Sequence, residues 1–125
     1  DTAIKNDISA IILTNTTDGN RGNLTSELRN EKGGLSGEPL HQISTDLIKK
    51  FYKSLDNKIP IIGVGGINSG KSAYEKIIAG ASLLQIYTSF VYRGPSVAKD
   101  IKKELIQILK SEGMKNIKEA IGKSV

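Results

Sequence analysis

Three short apolar runs punctuate this sequence, and none of them alternates. They are Ile8-Ser9-Ala10-Ile11-Ile12-Leu13-Thr14, Ile59-Pro60-Ile61-Ile62-Gly63-Val64 and Ser82-Leu83-Leu84-Gln85-Ile86-Tyr87. A strand with one wet face alternates apolar and polar residues; a strand covered on both faces has no reason to. Continuous β-branched runs bounded by Gly, Asn and Pro therefore predict strands of a parallel sheet buried on both sides. Pro60 fits a strand start, where a missing N–H costs no ladder bond.

Helical patterns follow each run. Ser44 is a candidate N-cap for a helix carrying Leu47, Ile48, Phe51, Tyr52 and Leu55. Ser69 is the candidate cap of a second, with Ala73, Ile77 and Ile78 on one face and Gly80 as its stop. A third begins near Pro95, places Val97, Ala98, Ile101, Leu105, Ile108 and Leu109 on one stripe, and ends at Glu112-Gly113. A short closing helix over Ile117 to Ile121 ends at Gly122.

The order strand, long loop, helix, strand, helix, strand, helix predicts right-handed βαβ units. Three strands with two apolar faces need more cover than the helices of this 125-residue chain supply. A closed (β/α)8 barrel takes about 250 residues. The chain therefore reads as part of a larger α/β protein, expected to begin just before a strand and to end at a true C-terminus.

Composition removes several chemistries. There is no Cys, which excludes thiolate catalysis, disulfides and thiolate-held metals within the chain, and there is one His. No apolar run approaches the roughly 20 residues that span a bilayer, and the first residues do not resemble a signal peptide. The net charge of +5 comes from lysines mixed with acids on the polar sides of helices, as at Lys49, Lys50, Lys99, Lys102, Lys103 and Lys110 beside Asp46, Asp100 and Glu104. Only six aromatics accompany it (four Tyr and two Phe), and none forms a base-stacking run. That argues against a nucleic-acid partner. The sequons at Asn15 and Asn23 are taken as chance.

Parallel α/β folds bind ligands outside the carboxyl ends of their strands. Here those ends are Thr14-Asn15-Thr16-Thr17, Gly65-Gly66-Ile67-Asn68 and Tyr87-Thr88-Ser89. All are glycines or neutral hydrogen-bonding groups, suited to a polar, anionic ligand. The polar loop from Thr17 to Gly34 is expected to be mobile near Asn20 to Asn30 and ordered at Gly33-Gly34-Leu35-Ser36-Gly37. The stretch Gly65 to Ser72 also satisfies G-x-x-x-x-G-K-[ST], in which Lys71 reaches phosphates and Ser72 holds Mg²⁺. The acidic residue that such a site needs at a neighbouring strand end is missing. Phosphate binding by Gly65-Gly66 and the following helix N-terminus does not depend on it. A basic anion-binding module without catalysis is the remaining alternative.

Four segments together resemble dihydroorotate dehydrogenase. They are Ile12-Leu13-Thr14-Asn15-Thr16-Thr17, Gly33-Gly34-Leu35-Ser36-Gly37-Glu38-Pro39-Leu40, the run from Ile59 to Ile67, and that from Ala79 to Thr88. The Gly-Leu-Ser-Gly turn before Pro39-Leu40 and the ending Glu119-Ala120-Ile121-Gly122 resemble its class 2, quinone-linked branch. The resemblance implies that residues 1–125 are the C-terminal three βα units of a flavin mononucleotide (FMN) binding (β/α)8 TIM barrel, incomplete without the upstream part. It implies that Thr14, Ser36, Gly37, Gly65, Gly66, Tyr87 and Thr88 hold the flavin, the last four around its phosphate, and that Asn15 and Thr16 contact dihydroorotate or orotate. Tyr87 enters through its backbone N–H, its ring being open to a core-filling role. The family's catalytic base, a serine, and the helical pair that admits ubiquinone both lie outside this chain, so it is expected to be inactive alone. The implied location is the mitochondrial inner membrane surface in a eukaryote and the cytoplasmic membrane surface otherwise. The P-loop match then becomes accidental, and His41 a surface or capping residue.

Overall fold

The computed structural model describes residues 2–19 and 21–125. A short helix α1 (Thr2–Lys5) precedes strand β1 (Ile11–Leu13). After the long loop come α2 (His41–Leu55), β2 (Ile61–Val64), α3 (Gly70–Ile78), β3 (Ala81–Gln85), α4 (Thr88–Arg93) and α5 (Val97–Ser111). The strands form one parallel sheet in the order β1-β2-β3.

One face of the sheet is packed and the other is open. Leu13, Ile61 and Ala81 lie under Ile48 and Leu55 of α2, and Ile48 is completely buried. Burying a side chain of that size is worth about 1.5–3 kcal/mol. Gly63 lets α2 come this close, since a Cβ there would stand 3.0 Å from Ile48 Cδ1 and from Ala81 Cβ. Helices α3 and α5 pack together through Ile77, Leu105 and Leu109, and through Ala73, Val97 and Ile101. Leu84 reaches into all three clusters. On the opposite face Ile12, Ile62 and Leu83 are in register, and Ile12 and Leu83 are 54% and 62% exposed. The missing alternation has its reason here: both faces are apolar, and this chain covers one of them.

Several boundaries differ from the sequence expectation. β1 starts at Ile11 rather than Ile8, which is exposed, and β3 ends at Gln85. Ser44 is no cap. The turn Glu38–Leu40, with Pro39 in it, starts α2 at His41, so Ser44 falls one turn inside, fully buried, and donates to the Val64 carbonyl at 2.5 Å. Ser69 does cap α3, accepting from the Ser72 N–H in a reciprocal capping box. The stretch after β3 is two helices, not one. Gly94, at φ 74°, ends α4 before α5 begins. The closing helix is a single 3-10 turn, Ile117–Ala120, because a run this short ends before α-helical bonds accumulate.

Candidate functional site

The carboxyl ends of the three strands open into one cleft of about 850 Å³. Thr14, Asn15 and Thr16 reach it from β1, Gly65 and Gly66 from β2, Tyr87 and Thr88 from β3, and Ser36 and Gly37 from the long loop. All nine residues singled out in the sequence therefore line the same hollow. Its volume lies within the range of about 300–1,000 Å³ usual for small-molecule sites.

Local packing fixes these positions. Gly65 and Gly66 turn with φ of 109° and 70°, values that L side chains avoid. They lie on the first turn of α2: a Cβ on Gly66 would come within 2.6 Å of His41 Cα and 2.7 Å of its N. Among the described residues, neither glycine N–H has a protein acceptor. Thr88 Oγ1 and Ser36 Oγ are 2.9 Å apart, which ties the β3 tip to the long loop, and Gly37 (φ 84°) lets Thr88 Cγ2 close against it. Gly34 leaves room for Thr16, whose Oγ1 would meet a Cβ there at 2.1 Å. Asn15 Oδ1 accepts from the Thr16 N–H at 2.8 Å, so its amide nitrogen is left to donate outward. The Tyr87 side chain is 78% exposed and fills no core.

The P-loop reading fails on the same helix. Ser72 Oγ, largely buried, is taken up by the N–H groups of Asn68 and Ser69, and no Mg²⁺ ligand remains there. The first N–H of α3, on Gly70, donates to Glu104 Oε2 at 2.5 Å. A carboxylate from α5 thus occupies the position where a phosphate would sit, and anion binding is left to Gly65-Gly66 without that helix N-terminus. Glu104→Ala should cost about 1 kcal/mol of stability, because the Gly70 N–H at the start of α3 loses its carboxylate acceptor while the Ser69 cap remains. Thermal denaturation checks this, and an unchanged midpoint would contradict the Glu104 contact.

His41 is half-buried and caps the Glu38–Leu40 turn, its backbone N–H donating to the Glu38 carbonyl. Its Nε2 pairs with Glu75 Oε2 at 2.7 Å, linking α2 to α3. Beside it Lys76 is completely buried and donates to the His41 carbonyl at 3.2 Å and to Thr45 Oγ1 at 3.0 Å. Burial lowers the Lys76 ammonium to about 8, against the opposing pull of Glu75 and Asp46. Reasoning from sequence passed over Lys76, which reads as one more polar helix residue. It also passed over Arg21, Tyr92 and Arg93, which line the cleft together with Asn68, a residue the sequence reading did place at the β2 tip. Tyr92 and Arg93 could have been found from Gly94, whose place between two apolar stretches signals a helix end. Among the described residues no cluster of His, Asp and Glu is placed to hold a metal, and no helix is long and apolar enough to cross a membrane.

Parallel βα units with a donor-rich cleft at the strand tips fit a fragment of an α/β barrel. The family model described as dihydroorotate dehydrogenase matches residues 1–109, and the chain belongs to that family. It is 48% identical over 115 residues to the mitochondrial dihydroorotate dehydrogenase (quinone) of Mus musculus, covering 92% of this chain and 29% of the mouse protein. It is 44% identical to the dihydroorotate dehydrogenase (quinone) of Natronomonas pharaonis, covering 92% and 32%. The ligand-free dihydroorotate dehydrogenase of Eimeria tenella superposes with a TM-score of 0.94 at 43% identity, covering 98% of this chain and 34% of that one. The chain thus spans about a third of the length of these relatives.

Proposed function

We propose that residues 1–125 form the C-terminal part of an FMN-binding barrel domain whose whole enzyme oxidises dihydroorotate to orotate in pyrimidine biosynthesis, with a quinone as electron acceptor. The observation that carries this reading is the convergence of Thr14, Ser36, Gly37, Gly65, Gly66, Tyr87 and Thr88 with Asn15 and Thr16 on one cleft. The donor set suits the cofactor. Free N–H groups at Gly65 and Gly66, in a turn where a Cβ would strike α2, fit a phosphate held by backbone.

Bound flavin supplies the two-electron acceptor, and the protein supplies orientation. Gly65, Gly66, Tyr87 and Thr88 grip the phosphate, while Thr14, Ser36 and Gly37 seat the rest of the cofactor. Asn15 and Thr16 hold the pyrimidine, the free amide of Asn15 donating to a carbonyl or carboxylate oxygen. Ser36, whose Oγ accepts from Thr88 Oγ1 at 2.9 Å, is assigned to the flavin and not to the general base. The base therefore comes from another part of the barrel, as does the quinone entrance. The remaining strands would join the free edges of β1 and β3, and the open apolar face around Ile12, Ile62 and Leu83 would then face the barrel interior. The location that goes with this reading is the mitochondrial inner membrane surface in a eukaryote, or the cytoplasmic membrane surface otherwise.

The full-length chain carrying this segment is expected to purify yellow and to reduce a dye on addition of dihydroorotate. A folded, colourless protein that takes up no FMN overturns the proposal.

A further inference from the structure

The loop between β1 and α2 forms one wall of the cleft, yet the hydrophobic effect does not hold it. No described residue from 17 to 34 is fully buried. The loop is closed at its base by Thr17 and Leu35, which exchange two backbone hydrogen bonds at 3.2 and 2.7 Å. Within it, one side chain gathers the backbone. Arg21 Nε donates to the Asp18 carbonyl at 3.2 Å, Nη1 to the carbonyls of Arg29 and Glu31 at 2.9 Å each, and Nη2 to that of Gly33. Four of the five guanidinium N–H groups are used, and they join the outgoing arm of the loop to the returning arm. Among the described residues no carboxylate pairs with Arg21. Its charge is spent on carbonyl dipoles, which without it would converge and repel.

The last of those carbonyls leads directly into the site. Gly33 is followed by Gly34, which lies against Thr16, and by Ser36, which is bonded to Thr88. We propose that Arg21 is a positioning residue for the substrate side of the cleft: by clasping four carbonyls it sets the Gly33-Gly34-Leu35-Ser36 turn against Thr16. The ligand's identity rests on the function proposed above; the clasp does not. The grip on the phosphate comes mainly from the β2 and β3 tips, so loosening the loop should weaken dihydroorotate binding more than flavin retention. Lysine cannot replace the clasp, because its donors radiate from one nitrogen and cannot span a planar fork.

The test uses the full-length flavoprotein. Arg21→Lys should raise KM for dihydroorotate about tenfold, roughly the value of one lost charge-assisted hydrogen bond. Flavin content should be unchanged and kcat should change by no more than about threefold. A Glu-specific protease should then cut at Glu27 or Glu31 faster than it cuts the parent protein. In Arg21→Ala, methylguanidinium added in solution should restore both resistance and KM, whereas methylammonium should restore neither. Unchanged KM and unchanged protease resistance in Arg21→Lys overturn the proposal, as does rescue of Arg21→Ala by the two cations alike. If the parent protein binds no flavin and does not oxidise dihydroorotate, the functional reading has failed, and the protease and rescue arms still decide the role of Arg21.

Discussion

Gly66→Ala is expected to abolish FMN retention and to cost about 2–4 kcal/mol of stability, the sum of overpacking and a disfavoured backbone angle. The methyl group would arrive within 2.6 Å of His41 Cα, and backbone cannot yield as a flexible side-chain tip can. The φ of 70° penalises any L side chain even if room were found. Either α2 shifts along the sheet or the Gly65-Gly66 turn rotates, and in both cases the free N–H groups leave the cleft. Gly22→Ala is the matched control, since a Cβ there meets nothing within 4 Å. It should change stability by less than about 0.5 kcal/mol. Denaturant unfolding and flavin titration of the two variants check the pair. Equal behaviour would show that the glycine turn is not seated on α2 as described.

Lys76 produces the second large effect. Lys76→Ala should lose about 3 kcal/mol, because it opens a cavity between α2 and α3 where the residue is completely buried. Lys76→Met fills that space without the charge, and Thr45 Oγ1 still donates to the His41 carbonyl at 2.7 Å. Its stability near neutral pH should lie within about 1 kcal/mol of the parent, as is common when a buried charge gives way to an apolar side chain. The pH dependence separates the two forms. Burial lowers the ammonium from 10.5 to about 8, so between these values the unfolded chain holds a proton that the folded chain has released. Stability from this group therefore rises with pH across that window, by up to about 3 kcal/mol. Below pH 8 the cost of burying the charge is present in full. Lys76→Met should flatten the rise. A parent protein whose stability from this window is flat, or falls more steeply than that of Lys76→Met, would contradict a buried ammonium.

The strands and the cleft were legible because they rest on local, periodic or compositional signals. Three apolar runs without alternation mark strands with two apolar faces, and the glycines and hydroxyls at their ends line one cleft. The Ser69 cap was readable for the same reason, since it closes onto Ser72 only three residues away. Ser44 misled because its partner, the Val64 carbonyl, is 20 residues distant and invisible to any local pattern. The P-loop match misled likewise. Its spacing is intact, but Glu104, 34 residues beyond Gly70, fills the helix N-terminus that a phosphate would need.

The chain order of βα units, their apolar faces and the donor chemistry of the strand tips are consequences of residue type and spacing, which act over a few residues and survive in the bare sequence. Which carbonyls Arg21 clasps, which glycine rests on His41, and whether Lys76 is wet or dry depend on contacts closed only when distant segments pack. Those contacts obey shape and partner rather than period. The residues of the cleft could thus be read from one dimension, while the groups that hold it in place required three.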